Sequence, residues 1–139
     1  METTSCPACG AHISGGLEGC EALWHELLYS GAVSGPAFDA YCMQHLDKYC
    51  ASAKSYAAHL TRLCCGVEMD ADPRVYAAIQ KWLNGNRKLE KPPILSHLGE
   101  MTIADVHDAQ TARAWMENVW AAYASQHELA RGWIREALG

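Results

Sequence analysis

The 139 residues are half apolar and 19% charged, the composition of an ordinary globular chain, and their length fits a single domain spanning 1–139. No apolar run approaches the roughly 20 residues of a helical membrane span, which excludes that class. A net charge of -5, with "NRKLEK" as the longest basic cluster, argues against a nucleic-acid partner, whose phosphates would demand clustered Lys and Arg.

The start, "METTSC", has neither the basic residues nor the apolar core of a secretory signal, so a cytoplasmic chain with reduced thiols is expected. Against that background "SCPACGAHISGGLEGC" stands out, with Cys6, Cys9 and Cys20 set among glycines ahead of any periodic segment. Two thiolates two residues apart, followed by Gly, form a turn whose amides point at both sulfurs, which is half of a zinc knuckle. Cys20 is the natural third ligand, because the glycines let the loop return to the head of the first helix. A structural zinc site needs a fourth, and His25 nearby and His45 farther on are the two choices. A disulfide is disfavoured by the reducing compartment, and a redox CxxC lacks the surrounding βαβ pattern.

The rest reads as helix. "LEGCEALWHELLYSG" spaces Leu17, Cys20, Leu23, Trp24, Leu27 and Leu28 by threes and fours and stops at Gly31. A second helix begins near Pro36 and carries Phe38, Tyr41, Cys42, His45, Leu46 and Tyr49 on one broad face. The third runs from about Ser52 to Met69. The fourth is capped by Asp72, has Pro73 in its first turn and ends at Asn84-Gly85. Pro92-Pro93 forbids helix in "KLEKPPILSHLGEM", which reads as a crossing loop. Thr102 and Asp105 form a capping box over a short turn. From about Gln110 to Leu138 a final helix of roughly 40 Å is predicted, with Trp115, Val119, Tyr123, His127, Ala130 and Ile134 on one face. The fold class is therefore all-α: a bundle of about five helices over 17–138, preceded by a zinc-knuckle-like loop over 1–20.

His45, His59 and His127 sit on the apolar sides of three different helices, and in a bundle they can converge on one point, as an open catalytic metal site requires. His12, His97 and His107 fall in loops or beside caps and read as solvent groups. Tyr41 is one helical turn from His45 and reaches it directly, while Asp39 is placed to orient a neighbour. Cys42, Cys50, Cys64 and Cys65 read as small buried hydrophobes, and the five tryptophans as core. There is no phosphate loop, dinucleotide fingerprint or HExxH pattern.

"CPACG", the lone Cys20 at a helix head, "FDAYCMQHL", "YAAHLTRLC", the paired prolines, "TIADV" and "VWAAYASQHELARGW" fall in an order and spacing similar to those of a bacterial family of small proteins of unknown function, DUF5946. Nearly the whole chain shares the resemblance. It singles out Cys6, Cys9, Cys20, Asp39, Tyr41, Gln44, His45, His59, Asp105, Trp120 and His127, and favours His45 over His25, which lies outside the shared pattern. The chain departs from it at Leu46, where Pro is usual, and at Ser34, near which other members carry a further His.

Two functions from different classes follow. The first is a zinc-binding helical protein with Cys6, Cys9, Cys20 and His45 as ligands. In it a pocket with His59 and His127 as catalytic candidates, supported by Asp39 and Tyr41, binds or transforms a small organic molecule. The second is a noncatalytic, zinc-stapled helical module for protein or ligand binding.

Overall fold

The computed structural model describes residues 4–85, 88–90 and 99–139. The Pro92-Pro93 join and His97 lie outside the described residues. Among those described, two short strands precede seven α-helices. Strands β1 (Thr4–Ser5) and β2 (His12–Ile13) pair antiparallel, Thr4 opposite Ile13 and Ser5 opposite His12. The turn between them needs Gly10 at a φ of 82°, in the left-handed region that favours glycine.

The expected starts and stops are present. Helix α1 (Gly16–Ser30) ends on Gly31 and buries Cys20, Trp24 and Leu27, but leaves Leu17 and Leu28 at 39% and 50% exposure, so its buried stripe is narrower than the spacing predicts. Helix α4 (Ala53–Glu68) opens with a Ser52–Ser55 capping box, and α5 (Pro73–Asn84) with Asp72 accepting from the Arg74 amide. Thr102 and Asp105 cap the 3-10 turn Ile103–Asp105, as predicted.

Two predicted helices are each divided. The second is α2 (Ala37–Met43) followed by α3 (Leu46–Tyr49), with His45 between them at φ -131°, ψ 57°. The final one is not a continuous spine but α6 (Ala109–Ala122), a 3-10 turn at Ala124–Gln126, and α7 (His127–Leu138). This accounts for seven helices where about five are expected.

The two breaks have a common cause. In an unbroken helix the Tyr41 carbonyl would accept from the His45 amide, and the Trp120 carbonyl from that of residue 124. Instead the His45 Nδ1–H donates to the Tyr41 oxygen at 2.6 Å, while the His45 amide turns to Cys42. The His127 Nε2–H donates to the Trp120 oxygen at 2.6 Å. Each imidazole also stacks on the ring whose carbonyl it takes, at 4.0 Å for Tyr41 and 3.9 Å for Trp120. The second break frees α7 to fold back on α4 and α5, while α6 packs on α2 and α4. The buried face of the final segment, Trp115, Val119, Tyr123, Ala130 and Ile134, nevertheless matches its periodicity. Its junction is pinned by Tyr123 donating to the Met43 carbonyl, and by Glu68 accepting from Trp120 and Arg131. His127→Ala is expected to cost about 1–2 kcal/mol, from one hydrogen bond and one ring contact, read as a lower melting temperature. An unchanged melting temperature would show that the break stands without it.

Buried side chains from the N-terminal loop and from all seven helices form one core, which includes all seven cysteines. No helix among the described residues is long and apolar enough to cross a membrane.

Candidate metal centre

The first helix break sets up the site. The hairpin turn is drawn tight by the Cys6 amide donating to the Ala11 carbonyl and the Gly10 amide to the Cys6 carbonyl, both at 2.8 Å, which directs Cys6 and Cys9 inward. Cys20 approaches from the second turn of α1, and His45 from the gap between α2 and α3. The His45 Nε2 lies 3.3 Å from the Cys20 sulfur and 3.6 Å from that of Cys6, and the Cys9 and Cys20 sulfurs are 3.8 Å apart. All four donor atoms are buried and lie within 4.8 Å of one another, a group that could hold a metal ion. His25, the alternative fourth ligand, is exposed on α1 and takes no part.

The surroundings suit the ligand role of His45. A carbonyl oxygen only accepts, so the bond to Tyr41 places the proton on Nδ1, and in the neutral ring the lone pair is then on Nε2, facing the sulfurs. The Tyr41 phenol lies 3.7 Å from the Cys20 sulfur, and its ring is sandwiched between His45 and Trp24, whose centroid is 4.9 Å away. Burial pushes the Tyr41 hydroxyl well above its ordinary pKa, so it stays protonated as a donor to sulfur. Between Cys9 and Cys20 a hydrogen bond favours one thiolate. It holds the Cys9 thiol well below its ordinary pKa, and the same bond, with burial, drives Cys20 far up. The pair therefore gives up its first proton readily and its second only to a strong competitor, as a metal cation is.

The remaining predicted residues go elsewhere. His45, His59 and His127 do not converge: among the described residues the one such group of donors is the Cys3His set. His59 Nδ1 pairs with the Asp39 carboxylate at 2.8 Å, in a contact whose two side chains are 13% and 7% exposed. Burial pushes the Asp39 carboxyl above its ordinary pKa, and the His59 bond pulls it back. His127 is committed to Trp120 at the second break. Asp39 thus orients His59, Tyr41 supports His45, and Asp105 serves as a cap. Cys42, Cys50, Cys64 and Cys65 are buried, as expected of small hydrophobes. His12 and His107 are exposed, beside Ser5 and Thr111.

One contributor, Gln44, is singled out by the family resemblance, but its role has no signal in local spacing. The Gln44 amide accepts from the Trp115 indole N–H and donates to the Met101 carbonyl, both at 2.9 Å, locking the residue before His45 to α6 and to the segment that leads into the 3-10 turn. Its partners are 71 and 57 residues away, so no spacing rule reaches them. Two hollows flank the centre, one of about 500 Å³ with Cys9 in its wall and one of about 140 Å³ with His45 in its wall.

No curated protein and no solved structure matches the chain. A family model does match residues 4–124, a span that holds Cys6, Cys9, Cys20 and His45 and ends short of His127, and the chain accordingly belongs to the family of unknown function DUF5946.

Proposed function

We propose that the protein binds one zinc ion at Cys6, Cys9, Cys20 and His45, and that this ion is a structural staple in a noncatalytic helical module. The observation that carries the reading is the spacing of the donors. A tetrahedral zinc with bonds of about 2.3 Å to sulfur and about 2.0 Å to nitrogen has S···S edges of about 3.8 Å and S···N edges of about 3.5 Å. Three of the six donor separations, 3.8 Å for Cys9–Cys20, 3.6 Å for Cys6–His45 and 3.3 Å for Cys20–His45, lie within about 0.2 Å of those edges. Three thiolates and an imidazole are a soft set that selects zinc over magnesium or calcium. Four protein ligands fill a tetrahedron and leave no position for a substrate or a reactive water, which favours the staple over catalysis. The ion would tie the hairpin, α1 and the α2–α3 break together.

The purified protein is expected to carry about one zinc per chain by elemental analysis. His45→Ala should lower both the metal content and the melting temperature, and His25→Ala should leave both at the wild-type value. Metal-free protein with all thiols titrating freely in the folded state would overturn the reading. Equal metal loss in the two histidine variants would overturn the assignment of His45.

A further inference from the structure

The cysteines of this chain are not equally placed. Cys50 directs its thiol at the Cys42 carbonyl and the Met43 sulfur in the helical core, and Cys64 directs its thiol at the Glu68 carboxylate at the edge of that core. Cys9 and Cys20 have their sulfurs in contact at 3.8 Å and belong to separate elements, the hairpin turn and α1. Cys9, at 3% exposure, forms part of the wall of the polar hollow of about 500 Å³ that His12, Glu100 and Asp105 line, whereas Cys20 is at 0% and lines no part of it. A small polar oxidant therefore meets Cys9 first, with Cys20 as the sulfur next in line.

We propose that Cys9 and Cys20 are a redox modification site, closing to a disulfide under hydrogen peroxide and thereby releasing the metal. The inference rests on the zinc reading. The Cys9 sulfur attacks one peroxide oxygen, the O–O bond breaks, and hydroxide leaves as the Cys9 sulfenic acid forms. The Cys20 sulfur then attacks the Cys9 sulfur, the S–O bond breaks, and a second hydroxide leaves as the S–S bond forms. The two sulfurs lose two electrons to the peroxide, and two solvent protons turn the hydroxides into water. Only Cys6 and His45 remain as donors, too few to retain zinc. The new bond joins the hairpin to α1 in the metal's place, so the helical core stays folded, and a dithiol reductant restores the site.

The test uses the full chain loaded with zinc and treated with a small molar excess of hydrogen peroxide. Released zinc is read with a chromophoric chelator, the crosslink by intact mass and peptide mapping, and the fold by circular dichroism. The expected result is release of the bound zinc, a mass lower by two hydrogens, a Cys9–Cys20 linked peptide and an unchanged helical signal, all reversed by dithiothreitol with added zinc. Zinc retained while other thiols oxidise would overturn the inference and leave the zinc reading intact. Release through a different cysteine pair, or through sulfinic acid at Cys9 without a crosslink, would likewise overturn it alone. A chain that never takes up zinc would end both.

Discussion

Cys20→Ser is expected to abolish stoichiometric zinc and to lower the melting temperature by about 10 °C. Cys20 is the hub of the centre: its sulfur touches Cys9, His45 and the Tyr41 hydroxyl, and it is fully buried. Substituting a residue that merely supports a metal ligand reduces affinity about 10–100-fold, so loss of a ligand should cost at least about 100-fold. With free zinc in excess, that loss removes about 2.7 kcal/mol of metal-linked stability. At about 2–4 °C per kcal/mol for a chain of this size, the shift approaches 10 °C. The lesion should be local. Hydrogen exchange is expected to speed up in the hairpin and the first turns of α1, while α4 to α7 keep their protection. A chelator supplies the control: it should lower the melting temperature of the wild-type chain and leave that of Cys20→Ser unmoved. A variant that melts with the wild type, or still responds to chelator, would show that the staple does not run through Cys20.

The parts of this site that were legible in the sequence are the local ones. Cys6, Cys9 and Cys20 lie close along the chain with glycines between them, so their spacing alone implies a shared centre. His45 was different, because spacing left it level with His25, and only the resemblance to the family favoured it. The structural reason is long-range: His45 reaches the thiols because its own ring takes the Tyr41 carbonyl and ends α2. Apolar periodicity runs through both breaks without interruption, Tyr41, Leu46 and Tyr49 at one and Trp115 to Ile134 at the other. It therefore identifies the buried face but not the point where the helix stops. No Gly or Pro marks either point; a histidine side chain competing for a backbone carbonyl does. The expected convergence of His45, His59 and His127 rests on helix face alone. It failed because each ring finds a nearer acceptor, and the Asp39–His59 pairing joins residues 20 apart, beyond the reach of a single-helix pattern.

The core around the centre should respond to mutation in a way the centre does not. Trp115 is fully buried on α6, 6.4 Å from Trp24, and its indole N–H is held by Gln44. Truncating a buried Trp to Ala removes its packing and leaves a cavity, at about 3–5 kcal/mol. The Gln44 oxygen loses its donor as well, adding about 1–3 kcal/mol unless water enters the space. Trp115→Ala is thus expected to lower the melting temperature by more than Cys20→Ser. Trp115→Phe, which keeps most of the ring volume and deletes the N–H, should fall between it and the wild type. The decisive comparison is again with chelator. Cys20→Ser acts through the metal, so its deficit relative to wild type should vanish when both proteins are stripped. Trp115 bonds to Gln44 and packs its ring against Trp24 rather than against a donor residue, so its deficit should persist in the stripped state. If the Trp115→Ala deficit also vanishes there, the Trp115–Gln44 bond acts by positioning His45, and the core and the metal centre form one cooperative unit.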